Sequence, residues 1–186
     1  MACKTPELSS GLGIMALLTI FIILSTLSYS IVISISAQTL SLFDAQTRLQ
    51  VFSVSTALNG VGGDKNSGKT PLGRHVIRAK IGQGSPVNTV FVGRRATGEV
   101  YSEALALQYP KRDWVLSRIL WLSGKERGVN RLGEVDTMQR YIYIHGTPDR
   151  EPMGVPLSHG CIRMRNADVI TLFECVPVGT EVLIQP

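Results

Sequence analysis

A cysteine and a histidine near the C-terminal end of this chain carry its clearest chemistry. His145 opens the stretch HGTPDREPMGVPLSHGCIRMRN, and Cys161 follows 16 residues later inside Ser158-His159-Gly160-Cys161. The attacking species in thiol catalysis is the thiolate, and a free thiol of pKa ~8.5 is only about 3% ionised at pH 7. An imidazole that takes the proton removes that obstacle, so a cysteine and a histidine brought together are the minimum set for a nucleophilic acyl transfer. The setting of Cys161 is polar and glycine-bearing, flanked by His159, Gly160 and Arg163, as expected of a reactive thiol. Cys175 lies in the apolar Phe173-Glu174-Cys175-Val176 and reads as a small core residue. Three cysteines at unrelated spacings give no disulfide framework.

Competing chemistries are weaker. His145, His159 and Cys161 could together ligate zinc, with Cys175 or Asp149 as a fourth ligand. The His-x-Cys spacing is not that of structural zinc sites, however, and no C-x-x-C occurs. Gly63 to Thr70 spells G-x-x-x-x-G-K-T, the phosphate-cradling loop, which works only where a helix leaves it. Pro71 follows at once, disfavouring helical angles at Thr70, and Gly73 and an alternating stretch come next. No nucleotide is therefore expected, nor any metal or other cofactor. His75 falls on the apolar face of its stretch and is assigned no role.

The elements that must position these groups read mostly as strands. Ile31, Ile33 and Ile35 alternate with Val32, Ser34 and Ser36, and Leu40 and Leu42 alternate with Thr39 and Ser41, predicting a hairpin. Leu49 to Ser55 is β-prone and 59–73 is a glycine-rich connection. In Arg74 to Ile81, His75, Ile77, Ala79 and Ile81 share a face. Further β-like runs are Val87 to Val92, Val115 to Leu122 (where a helix also fits), Arg140 to Ile144, and Glu181 to Ile184. One helix is clear: Asn166 caps it, Asp168 suits its N-terminal end, Val169, Leu172, Phe173 and Val176 form its apolar face, and Pro177 stops it. The expected fold is mainly β, a sandwich or barrel with one or two short helices.

The length of 186 residues suits one domain with a real core. Net charge is +5, but the basic residues are scattered among acids and only 6% of residues are aromatic, which argues against a nucleic-acid partner. No charge occurs between Leu8 and Phe43, and Leu12 to Leu27 is the most apolar part. A spanning helix needs about 20 apolar residues, roughly 17 at least. Residues 1–30 are therefore read as an N-terminal apolar helix, a signal-anchor that ties 31–186 to a membrane. A cleaved signal peptide, a buried extension and a misplaced start remain open alternatives.

From about Ile31 onward the chain resembles the L,D-transpeptidase catalytic domain of the YkuD-like family. The resemblance rests on Thr70-Pro71-Leu72-Gly73, which enters a strand, on His145-Gly146-Thr147, and on Ser158-His159-Gly160-Cys161-Ile162-Arg163-Met164 with Asn166. It implies an L,D-transpeptidase-type β-fold and a cysteine acyltransferase that works on peptidoglycan stem peptides in the cell envelope. Cys161 would attack the carbonyl between diaminopimelate and D-Ala, releasing D-Ala and leaving a thioester. An amine of another stem, or water in an L,D-carboxypeptidase, would then take the acyl group. A non-catalytic metal- or wall-binding domain is the alternative from another class.

Within that reading His145 is the base, with a backbone carbonyl near Gly146 fixing its tautomer. Ser158 belongs to the cysteine loop, and Gly160 lets the chain turn beside the nucleophile. The amides of His159, Gly160 and Cys161 are candidate oxyanion donors, each worth about 2.7–4 kcal/mol in such reactions. His159 either lines the donor pocket or assists proton transfer. Arg163 orients the loop, holds a substrate carboxylate, or merely forms an ion pair.

Overall fold

The computed structural model describes residues 28–186, so the readings placed on the preceding segment, the apolar helix and membrane anchor, lie outside the described residues. Among the described residues no helix is long and apolar enough to cross a membrane.

Ten strands follow in order: β1 (Tyr29–Ser34), β2 (Thr39–Asp44), β3 (Thr47–Ser53), β4 (Gly73–Ile81), β5 (Thr89–Val92), β6 (Arg95–Val100), β7 (Val115–Gly124), β8 (Tyr143–Gly146), β9 (Ile162–Met164) and β10 (Glu181–Gln185). Two helices accompany them, α1 (Glu103–Gln108) and α2 (Asn166–Cys175). The hydrogen-bonded path runs β3-β2-β1-β10-β4-β7-β5-β6, with β8 and β9 branching from β7. What the sequence reads as a sandwich or barrel is thus one branched sheet with β3 and β6 at its open ends. The mainly β class with two short helices is as expected.

The alternation seen in the sequence sorts the residues as predicted. Ile31, Ile33, Leu40 and Leu42 point into one core with Phe52, Ile77, Leu120, Leu122, Ile144, Ile162 and Met164. Helix α2 closes that core with Val169, Leu172 and Phe173, all fully buried. Each such side chain contributes about 1.5–3 kcal/mol by leaving water.

The β reading of Val115 to Leu122 holds over the helical alternative: β7 runs to Gly124, pairs with β4, β5 and β8, and has residues of both its faces buried. Two expectations are corrected, and two elements are new. The run expected from Arg140 to Ile144 starts later. Arg140 and Tyr141 belong to a turn in which the Arg140 amide donates to the Asp136 carbonyl, and the strand covers Tyr143 to Gly146, placing His145 inside it. Asn166 is the first helical residue rather than the cap; its amide donates to Asp149 Oδ1 at 3.2 Å. Helix α1 and strand β6 were not foreseen, because Arg95 to Val100 is largely exposed and carries no apolar period.

Strands β8 and β9 give the architecture its functional meaning. They run parallel, with Ile144 opposite Ile162 and His145 opposite Arg163. With a side-chain period of two, Ile144, Ile162 and Met164 face α2, while Tyr143, His145 and Arg163 face the other way.

Candidate active site

The face of β8 and β9 turned away from α2 gathers most of the residues singled out by sequence. Cys161 immediately precedes β9, and the Tyr143 amide donates to its Sγ at 3.3 Å. Cys161 thus lies beside Tyr143, one strand over and two residues back from His145. Strand spacing and rise place the Cα atoms of His145 and Cys161 about 8 Å apart, within the combined reach of a thiol and an imidazole. In this conformation the thiol donates to the Tyr141 carbonyl at 3.4 Å, and among the described residues no hydrogen bond joins it to the His145 ring. Burial pushes the thiol up to about 12; the Tyr143 amide, Arg163 and Arg140 oppose that rise, and Asp113 adds to it. At neutral pH the sulfur is therefore protonated.

His145 is buried, and its Nδ1 lies 2.8 Å from the Gly146 carbonyl. A carbonyl only accepts, so Nδ1 carries the hydrogen and Nε2 is left with its lone pair. Burial holds the ring below the ordinary histidine value, against the Gly146 carbonyl and Asp113, and Arg163 lowers it further. The ring rests neutral, ready to accept a proton. Gly146 is fixed by space: a Cβ there would come within 2.6 Å of Asn166 Oδ1 and 2.7 Å of the Leu116 carbonyl. Asn166 fills that gap as a brace, accepting from Ser117 Oγ at 2.5 Å and donating to the Thr147 carbonyl at 2.9 Å. It thereby joins β7, the end of β8 and α2.

The cysteine loop is held by its own side chains. Ser158 Oγ donates to the Cys161 carbonyl at 2.5 Å and accepts from the Gly160 amide at 3.2 Å. The Gly160 amide is therefore already engaged, which leaves those of His159 and Cys161 as the candidate oxyanion donors. Gly160 adopts φ +128°, a region that excludes most side chains. Thr70 explains the Thr-Pro pair seen in the sequence: its Oγ1 donates to the Gly160 carbonyl and accepts from the Ala57 amide, both at 3.0 Å.

Arg163 is almost buried, and its Nη2 lies 2.7 Å from Asp113 Oδ1. The other oxygen of Asp113 meets His159 Nδ1 at 2.9 Å, although His159 itself is well exposed. Burial alone would raise the Asp113 carboxyl, but Arg163, the His159 hydrogen bond and the two histidine charges bring it below the usual carboxylate value. These residues line a cleft of about 140 Å³ with Trp114, Thr147 and Glu151. Asp113 was missed by sequence reasoning. It stands in a connection before β7, and nothing in Lys111-Arg112-Asp113 sets it apart from a solvated turn.

Arg140 was read only as the start of a strand. It instead binds the carbonyls of Gly62 and Lys69, ties down the glycine-rich connection before β4, and faces the sulfur electrostatically.

Residues 28–184 match a family model described as the L,D-transpeptidase catalytic domain. The chain belongs to that family. The putative L,D-transpeptidase YqjB of Bacillus subtilis is 56% identical over 41 residues, 22% of this chain and 23% of that protein. The probable L,D-transpeptidase YbiS of Escherichia coli K12 is 54% identical over 43 residues, 23% of this chain and 14% of that one. The similarity thus spans under a quarter of either relative. The fold resembles that of L,D-transpeptidase 3 from Mycobacterium tuberculosis, with a TM-score of 0.54 at 17% identity, over 86% of this chain and 62% of that one. An L,D-transpeptidase from Mycobacterium smegmatis gives 0.51 at 18% identity, over 86% and 59%.

Proposed function

We propose that this L,D-transpeptidase family member is a cysteine acyltransferase that opens the bond between diaminopimelate and D-Ala in a peptidoglycan tetrapeptide stem. The observation that carries the proposal is the shared face of β8 and β9, which bears His145, its Nδ1 spent on the Gly146 carbonyl and its Nε2 left unprotonated, and which Cys161 joins immediately before β9.

The thiol rests protonated, so activation accompanies attack. As Cys161 Sγ forms its bond to the carbonyl carbon, its proton passes to His145 Nε2. The oxyanion takes hydrogen bonds from the amides of His159 and Cys161. Collapse breaks the C–N bond, the proton moves from His145 to the departing D-Ala nitrogen, and a thioester remains. An incoming amine then attacks that carbonyl, gives its proton to His145, and the released sulfur recovers it. Water in the second half would make the same residues a carboxypeptidase.

Ser158 and Thr70 hold the loop so that its amides converge. Asp113 sets Arg163 and His159 behind them, which favours a positioning role for Arg163 over direct contact with substrate. The reaction belongs where peptidoglycan lies, on the extracytoplasmic side of the envelope. We read the apolar residues 1–30 as the segment that anchors domain 31–186 there, on hydropathy alone; N-terminal sequencing of the mature protein tests that part.

Incubation with a disaccharide-tetrapeptide tests the chemistry. Release of D-Ala with appearance of dimers supports transpeptidation, and tripeptide alone supports hydrolysis. A carbapenem should add its mass to Cys161 and leave Cys161→Ala unmodified. A wild type that neither releases D-Ala nor gains an adduct overturns the proposal.

A further inference from the structure

One cation on the cysteine-bearing face has no part in the chemistry above. Arg94 follows Gly93 at the tip of the β5–β6 hairpin, in the left-handed region at φ +68°. Its guanidinium lies 4.5 Å from the Trp121 ring and 4.9 Å from the Tyr141 ring, and Nη1 donates to Tyr143 Oη at 3.0 Å.

The same three aromatic residues surround the sulfur. The Tyr141 carbonyl accepts from the thiol, the Tyr143 amide donates to Sγ, and Trp121 packs with Cys161 against Tyr143, Phe91 and Ile119. Arg94 is therefore about one tyrosine side chain away from the nucleophile.

A second arginine shows what is unusual about it. Arg112 is likewise held by rings, Trp114 at 4.5 Å and Tyr109 at 5.6 Å, but its Nη2 meets the Glu99 carboxylate at 2.8 Å. Arg163 has Asp113. Among the described residues Arg94 forms no ion pair; its only hydrogen bond goes to a neutral hydroxyl. Aromatic faces and a phenol hold a guanidinium in place without neutralising it, and they leave several of its five N–H groups for a planar anion.

We infer that Arg94 is a specificity-determining residue that receives a carboxylate of the stem peptide whose acyl group Cys161 takes. The inference rests on the acyltransferase reading and adds to it the feature by which the donor is chosen. Two carboxylates flank the bond to be broken, one on D-Ala and one at the far end of diaminopimelate, and either offers the chemistry that Arg94 recognises.

The test compares the full chain with Arg94→Gln on three tetrapeptides: both carboxylates free, D-Ala amidated, and the diaminopimelate end amidated. On the free peptide Arg94→Gln should lose about 10- to 100-fold in kcat/KM, as expected for a lost charge-assisted bidentate contact. The wild type should lose a similar factor on one amidated peptide, which identifies the carboxylate, and Arg94→Gln should lose nothing further on that peptide. Arg94→Lys should keep part of the discrimination, and alkylation of Cys161 by iodoacetamide should stay within about twofold of wild type in both variants, because the sulfur's own contacts are untouched. Losses from mutation and amidation that multiply overturn the inference and leave the acyltransferase intact. So does an alkylation rate that falls as far as kcat/KM does. A wild type that turns over none of the three peptides removes the acyltransferase reading, and this inference with it.

Discussion

Two buried histidines in this protein begin alike and end differently. His75 on β4 places Nδ1 2.9 Å from the Gly73 carbonyl, and His145 on β8 places Nδ1 2.8 Å from the Gly146 carbonyl. Both strands pair with β7, and burial lowers both rings from the ordinary value. The second nitrogen separates them. His75 Nε2 accepts from Thr137 Oγ1 at 3.1 Å, which completes its hydrogen bonding. Among the described residues His145 Nε2 has no such partner, and the thiol of Cys161 stands just before the next strand. Burial and tautomer alone do not mark a histidine for chemistry; the proposed role of His145 rests on its unspent nitrogen.

The sharpest way to break that contrast is to make the same substitution at both. His145→Gln should lower kcat/KM by about 10²- to 10⁴-fold, the range for removing a general base, with little change in unfolding midpoint. His75→Gln should leave activity per folded molecule near wild type and cost about 1–2 kcal/mol in urea denaturation, since one amide cannot satisfy both Gly73 and Thr137. Similar activity losses in the two variants would refute the distinction.

The resting state of the sulfur gives the next effect. With its thiol pushed up to about 12, Cys161 should react with iodoacetamide at least about tenfold more slowly than free cysteine at pH 7, and the rate should still be climbing above pH 9. A plateau near neutrality would mean that Cys161 and His145 already share an ion pair before substrate arrives.

His75 has its own pH signature. Its folded value is lowered to about 4, from 6.5 in the unfolded chain. A depressed base is neutral in both states above pH 6.5, so stability is full there and is lost as pH falls from 6.5 toward 4. The difference of about 2.5 units corresponds to roughly 3 kcal/mol. Urea midpoints across that interval should fall less steeply for His75→Gln than for wild type.

How much of this was legible in the sequence depends on distance along the chain. The hairpin at Ile31 to Leu42, the apolar face of α2 and the entry into a strand after Pro71 all follow from local period and from that proline. That His145 and Cys161 lie on neighbouring segments of one face was legible because short segments hold the specific residue types together. What escaped were partners whose significance is purely spatial. Asp113, Arg94 and Arg140 sit in turns or at a hairpin tip, where a charged residue ordinarily means solvent, and only the folding of β5, β7 and β8 onto one another brings them to the cysteine face. Which of the candidate oxyanion amides is already engaged escaped for a related reason. Composition cannot reveal that Ser158 Oγ already occupies the Gly160 amide.

Asp113 allows the finest test of the histidine comparison, because it reaches His145 but not His75. Its negative charge raises the affinity of His145 for a proton, and its neutralisation of Arg163 limits how far that cation opposes the effect. Asp113→Asn removes the first influence and exposes the second, and both changes lower the His145 value further. The base must be neutral to act, so the acid limb of the kcat/KM profile should move to lower pH. The plateau should fall only about three- to tenfold, through loosening of His159 and Arg163 rather than loss of a reacting group. Folding should weaken by about 1–3 kcal/mol, the cost of leaving a nearly buried guanidinium with the Leu157 carbonyl at 3.4 Å and Glu151 at 3.9 Å. The pH dependence of stability contributed by His75 should stay as it is in wild type. An acid limb that stays in place, with the plateau alone lowered, would show that Asp113 serves the loop's shape and has no electrical hold on His145.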